Sequence, residues 1–234
     1  GAVTTYAAVV FDRDFNTLHS SPIPGLPSRV RVSPDGRYGS TTTFVSGDSY
    51  AADTFSTRTL LTDLLTGDQL ADVEQFAVIL DGQRYESVDF NFWGVTFATD
   101  SDRFYATLGA GGHTYLVQGD IAKREATVLR DGVECPMLSP DNRHIAFKKR
   151  VEGEFGRREW RLSVLDLDTL VDHPLAETRN VDDQAQWIDN NTVQYAIPAS
   201  AGSPTSDTWA VPADGSGAPR LVLAGASSAS PVSG

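Results

Sequence analysis

Cysteine is almost absent: Cys135 is the single one in 234 residues. No disulfide can form within the chain, a cysteine-type zinc site is excluded, and pairing says nothing about the redox compartment. Long apolar runs are missing too. No stretch approaches the roughly 18 apolar residues of a membrane helix, and no signal peptide is visible. The chain opens on Gly1-Ala2-Val3 rather than Met, as a processed or trimmed product would. Positive charge is the scarce sign: 19 Lys and Arg stand against 31 Asp and Glu, for a formal net charge of −12. That balance argues against non-specific nucleic-acid binding and against docking on anionic lipid. It suits solubility, a basic partner or bound cations. The four histidines, His19, His113, His144 and His173, are scattered, and none sits three or four residues from another ligand type. They read as structural or solvated side chains.

What is present is a repeat. Ser33-Pro34-Asp35-Gly36-Arg37-Tyr38 is a turn leading into a strand: Pro presets φ and Asp-Gly makes the reversal. Ser139-Pro140-Asp141-Asn142-Arg143-His144 is a near copy. Thr99-Asp100-Ser101-Asp102-Arg103-Phe104 and Ile188-Asp189-Asn190-Asn191-Thr192 are decayed ones. Strands are expected after each, at Gly39–Val45, Phe104–Leu108, Ile145–Lys149 and Val193–Ile197. Third strands are expected at Thr59–Leu64, Thr114–Asp120, Arg161–Asp166 and Asp207–Val211. Fourth strands follow, as at Ala126–Arg130 and Arg220–Leu223. The anchors lie 66 residues apart from 33 to 99, 40 from 99 to 139 and 49 from 139 to 188. About 40 residues per four-stranded unit is propeller spacing. The long first interval has room for the polar loop Ser46–Ser56 and an extra hairpin, for which Asp81-Gly82 is a strong turn signal. Leu60–Leu65 and Thr178–Trp187 carry partial helical periodicity, but alternation elsewhere favours strands. The expected fold is all-β, a β-propeller or partial propeller of four-stranded antiparallel blades. Residues 1–225 form one domain with four full blades and a partial N-terminal blade. Residues 226–234 are a tail that can supply a closing strand, Ala229–Val232.

The two Ser-Pro-Asp turns, with Val164-Leu165-Asp166-Leu167-Asp168 after the second, resemble the WD40-like (PD40) repeats of TolB-type propellers over roughly Ser28 to Gly225. Phe92-Trp93-Gly94-Val95-Thr96-Phe97, Gly112-His113-Thr114-Tyr115-Leu116-Val117, Val133-Glu134-Cys135-Pro136 and Val181-Asp182-Asp183-Gln184 are similar to the actinobacterial TolB-like translocation proteins. This resemblance implies an extracytoplasmic domain tethered by an N-terminal membrane segment. The first residues, Thr4–Phe11 and Thr17–Ser20, look like the last two strands of an incomplete blade. Either upstream strand is missing or the C-terminal tail completes it.

Motifs for bond chemistry are weak. There is no Gly-x-Ser-x-Gly nucleophile elbow. TolB-like blades also occur beside the hydrolase domain of prolyl-oligopeptidase-type peptidases, and about 200 residues of α/β pattern would be needed for that domain. Neighbours such as Asp182-Asp183 point to opposite faces of a strand and make a poor catalytic pair. Gly109-Ala110-Gly111-Gly112 joins two strands, so it lacks the helix end a phosphate cradle needs. Asp166-Leu167-Asp168 and Asp12-Arg13-Asp14 lack the Gly and distal Glu of a calcium loop and read as turns.

Aligning the repeats singles out a candidate site. Five residues before the anchors stand Ser28, Gly94, Glu134 and Asp183, with Asp89, Asn91, Trp93, Asp182, Gln184, Arg29 and Arg31 nearby. In a propeller these lead-in positions converge at one mouth of the channel. The binding set is Asp89, Asn91, Trp93, Glu134, Asp182, Asp183, Gln184 and Arg29. Recurring acidic groups there would raise one another's pKa and could hold a cation or a partner's Lys or Arg. The expected function is a non-catalytic extracytoplasmic scaffold, a monomer that recognises a protein partner through a propeller face and the channel mouth. It has no resident cofactor, no nucleic-acid partner and no membrane insertion of its own. The alternative is a propeller binding a small polar ligand or glycan, or a hydrolase or lyase using channel carboxylates. An enzyme calls for a deep polar pocket with perturbed titratable groups. A scaffold calls for a flatter aromatic patch with a charged rim.

Overall fold

The computed structural model describes residues 4–47, 55–153 and 158–227. Strands dominate, and among the described residues the helical element is one 3₁₀ turn, Val73–Gln75. The chain divides into two compact units, Gly1–Leu129 and Arg130–Gly234. The expected strand at Ala229–Val232 and most of the Ser46–Ser56 loop lie outside the described residues.

The first unit begins with a two-stranded ribbon, β1 (Tyr6–Phe11) and β2 (Thr17–Ile23). A four-stranded antiparallel blade follows: β3 (Leu26–Val32), β4 (Tyr38–Ser46), β5 (Ser56–Asp63) and β6 (Gln69–Asp72). The next sheet holds β7 (Ala77–Leu80), β8 (Gln83–Tyr85), β9 (Asn91–Phe97), β10 (Arg103–Ala110), β11 (His113–Asp120) and β12 (Glu125–Asp131), in the order β8-β7-β12-β11-β10-β9. Four of these strands make the blade. The Asp81-Gly82 hairpin forms as read, with both turn residues at positive φ, and β7 then joins the outer edge by running parallel to β12. The second unit contains two blades. One is β13 (Glu134–Leu138), β14 (His144–Glu152), β15 (Arg158–Asp166) and β16 (Asp172–Pro174). The other is β17 (Gln186–Asp189), β18 (Thr192–Pro198), β19 (Ser206–Pro212) and β20 (Arg220–Leu223).

The repeated turn is explained by its hydrogen bonds. Ser33 Oγ donates to Asp35 at 2.6 Å and accepts Tyr38 N at 2.8 Å, while Asp35 accepts Arg37 N at 3.0 Å. Ser139 and Asp141 repeat the set with Arg143 N and His144 N. Each side chain thus satisfies strand N–H groups that the reversal would orphan. The left-handed position falls to Gly36 in one copy and Asn142 in the other, residues that tolerate positive φ. The two helix-compatible stretches are not helical: Leu60–Leu65 runs from β5 into a turn, and Thr178–Trp187 is irregular chain leading into β17.

The central strands are buried on both faces, as in sheets sandwiched between neighbours. Leu61, Phe92, Phe104, Leu108 and Val117 form the core of the first unit. Leu162, Val164, Trp187, Val193, Tyr195 and Val211 form that of the second. Cys135 is buried. It takes φ +50° at a bulge in β13, between the register pairs Glu134↔Lys148 and Met137↔Ala146.

Candidate functional site

In the second unit, the bulged start of β13 sets the pairing Glu134↔Lys148. Lys148 is buried, and its ammonium donates to Asp182 at 2.6 Å. Arg150, two residues along β14, donates to Glu134 at 3.2 Å. Both cations lie over the Trp160 ring, at 4.7 Å for Lys148 and 4.8 Å for Arg150. Burial pushes the Glu134 carboxyl up, against the pull of Lys148 and Arg150. Burial pushes Lys148 down, but Cys135, Asp182 and Glu134 outweigh it and hold the ammonium above its usual value. Asp182 adds to the rise of Glu134, as expected of neighbouring carboxylates, but burial is the larger cause. The cation that Glu134 and Asp182 attract is the chain's own Lys148. The basic run Lys148-Lys149-Arg150 was the available signal, since alternate residues of a strand share a face.

Asp183 and Gln184 face packing within the same unit. Asp183 accepts Ala196 N at 2.9 Å. Gln184 donates to Pro136 O at 3.2 Å, tying the start of one blade to the next. Its Oε1 is buried without a protein partner and borders a cavity of about 10 Å³, also lined by Gln186, Gln194 and Thr208. That is room for one water molecule. Sequence reasoning missed the neighbouring clip. Fully buried Glu177 takes a two-point grip from Arg179, at 2.9 and 2.6 Å, and a hydrogen bond from the Tyr195 hydroxyl. Arg179 also stacks 4.0 Å over Trp209.

In the first unit, Asp89 caps the β10–β11 hairpin. It accepts the Ser87 hydroxyl and Gly111 N, and these bonds, Ser87 first, hold its carboxyl below the usual range. Asn91 accepts Thr57 N at 2.7 Å and donates to Asp89 O at 3.0 Å, stapling one blade to the next. Trp93 is buried edge-on against Phe55 at 5.6 Å, over Gly109, where a Cβ would meet its ring at 2.8 Å. Arg29 pairs with Thr42 on the face of β3–β5 that meets β9. Asn91, Trp93 and Arg29 therefore sit at a blade junction, whereas Asp89 is held within its own sheet.

Glu74, on the 3₁₀ turn, was not singled out by sequence. Its carboxyl accepts Thr59 N at 2.7 Å, Phe92 N at 3.3 Å and the Thr57 hydroxyl at 3.3 Å. Burial pushes it up to about 8. Beside it opens a groove of about 440 Å³ between this turn and the β7–β8 hairpin. Phe76, Val78, Tyr85, Val88 and Phe90 line it, with Arg84 ion-paired to Glu86 at the rim. Among the described residues, no group of three or more His, Cys, Asp or Glu is placed to hold a metal ion, and no helix is long and apolar enough to cross a membrane.

No protein-family model matches the chain, and no curated protein does. Solved structures do. TolB from Acinetobacter baumannii superposes with a TM-score of 0.57 at 18% identity, over 86% of this chain and 43% of that one. The fold is a TolB-like β-propeller. A puromycin-hydrolysing peptidase of Mycobacterium tuberculosis matches with a TM-score of 0.56 at 14% identity, over 86% of this chain and 29% of that one. An acylaminoacyl peptidase of Pyrococcus horikoshii matches with a TM-score of 0.51 at 9% identity, over 84% and 32%. The chain thus spans less than half the length of each of the three. The expectation that the chain is no enzyme is corrected by these matches. Two of the three proteins are peptidases, so the propeller fold does not separate a binding protein from part of an enzyme.

Proposed function

We propose that this chain is a recognition module that binds a protein partner through its blade lead-in residues. The reading takes residues 1–225 as one propeller domain and places it outside the cytoplasm, as the TolB-like resemblance implies. The observation that carries it is the Arg150–Trp160–Lys148 stack with Asp182 beside it. Asp182 and Arg150 keep 60% and 47% of their side chains exposed while their inner ends are held by ion pairs. Trp and Arg side chains are the usual anchors of protein interfaces. Side chains already held in one geometry lose little freedom on binding. Asp89, Asn91, Trp93 and Arg29 order the corresponding lead-ins of the first unit. The aromatic groove with its Arg84–Glu86 rim supports recognition of a protein surface in the same way.

The test starts from the partner captured by photocrosslinking from an Asp182 position in the intact protein. Titration calorimetry then compares parent, Arg150→Ala and Asp182→Asn at two salt concentrations. We expect at least a tenfold loss for each variant, smaller at high salt because exposed charges are screened. Equal affinities would overturn the reading.

A further inference from the structure

The groove in the first unit is built by a detour of the chain. The Asp81-Gly82 reversal folds β7 and β8 into a hairpin, and β7 docks parallel to β12. About 440 Å³ of space is left between this hairpin and the 3₁₀ turn Val73–Gln75. Its floor is aromatic. Tyr85 and Phe90 meet edge-on with ring centroids 5.5 Å apart, and Phe76 and Val78 are buried beside them. The charged groups lining it are two carboxylates, Glu74 and Glu86, against one guanidinium, Arg84. Arg84 and Glu86 pair at 2.9 Å, but their side chains are 68% and 77% exposed, so the pair holds Glu86 weakly. Val88, at the lip, is fully exposed.

From this we propose that the groove takes a lysine side chain of a partner protein, its stem on the aromatic floor and its ammonium drawn by Glu86 and Glu74. This deepens the reading above and rests on it only in taking the partner to be a protein. Aromatic faces attract a cation and its apolar stem together. The excess of carboxylates in the groove and the net charge of −12 favour a cation. The acids suit a point charge better than a guanidinium fork, which asks for two open oxygens in one plane. The Glu74 carboxyl already accepts Thr59 N, Phe92 N and the Thr57 hydroxyl, and Glu86 gives one oxygen to Arg84. A free amine would leave Val88 in water, whereas the polypeptide around a lysine covers it. Burial, helped by a hydrogen bond shared with Asp72, lifts the Glu74 carboxyl to about 8. Asp72 is itself paired with Arg58, and Ser87 and Gly111 hold Asp89 below the usual range. A cation in the groove favours ionised Glu74. Binding therefore releases a proton and tightens as pH rises toward 8.

The probe is the capped peptide Ser-Leu-Lys-Leu-Ser. Controls carry norleucine or arginine in place of lysine, and n-butylamine serves as the free amine. Amide shifts of the nitrogen-15-labelled protein locate the binding and give its affinity. The lysine peptide should shift amides of residues 74–90 and bind about tenfold more tightly than the norleucine peptide or the amine. It should also bind more tightly than the arginine peptide. Arg84→Gln, which frees Glu86 and removes the competing cation, should tighten binding about threefold, and Glu86→Gln should weaken it about as much. Both positions are exposed, so the melting temperature should hold. Affinity should rise from pH 6 to pH 8 in the parent and stay level in Glu74→Gln. Equal binding of the norleucine or arginine peptide, or no gain in Arg84→Gln, overturns the lysine site. Equal binding of the amine overturns the protein source, and a level pH response in the parent overturns the part given to Glu74. Arg150 and Asp182 are untouched by these variants, so this site and the Trp160 cluster fail separately.

Discussion

Replacing Glu74 by Gln tests whether burial or hydrogen bonding governs the carboxyl at the first blade junction. Thr59 N, Phe92 N and the Thr57 hydroxyl all donate to it, which favours the ionised form. Burial works the other way and dominates, with Asp72 sharing a hydrogen bond that also favours the proton. Asp72 is itself gripped by Arg58 at 2.9 Å. The carboxyl rises from 4.5 to about 8 on folding. A raised folded value stabilises the protein fully below pH 4.5, and the contribution is lost as pH climbs through 8. At about 1.4 kcal/mol per pH unit the ceiling is about 5 kcal/mol. Gln carries no such titration. It keeps one acceptor for Thr59 N and turns an amide toward Phe92 N, costing about 1–2 kcal/mol at every pH. Urea unfolding followed by tryptophan fluorescence at pH 5, 6, 7 and 8 gives the difference between parent and variant. Parent should lead at pH 5, and the lead should shrink steadily or reverse by pH 8. A difference that is flat, or grows with pH, would refute the reasoning, because it would mean the amide donors keep Glu74 ionised.

Gly119→Ala puts a methyl 2.1–2.6 Å from the ring of Phe104, which is fully buried and packed 6.0 Å from Phe76. Overpacking of this kind costs about 1–3 kcal/mol, and a lower urea midpoint at unchanged slope will show it. Tyr195→Phe removes the hydroxyl that donates to Glu177, whose carboxyl stays below its usual range because Arg179 and Tyr195 outweigh burial. A hydrogen bond to a charged group contributes about 1.5–3 kcal/mol. The loss should be full at neutral pH and fade as pH falls through the folded value of Glu177, which unfolding curves at pH 7 and below pH 4 will compare.

Local features were legible in the sequence alone. The Ser-Pro-Asp turns, the Asp81-Gly82 and Gly111-Gly112 hairpins and the alternating strands follow from φ preferences and nearest-neighbour hydrogen bonds. They report themselves within half a dozen residues. Arg220–Leu223 was read to the residue, and His113–Asp120 to within one. Which partner meets which carboxylate was not legible. Lys148 faces Glu134 and reaches Asp182, 34 residues further along the chain, because a bulge at Cys135 sets the register of β13 against β14. A different register would turn Lys148 to the other face and leave Glu134 with like charges, as the sequence by itself suggested. Glu74 likewise looks like any surface acid until three blade segments close on it. Charge pairing and burial are decided by distances through space, and those exist only once the strands have found their neighbours.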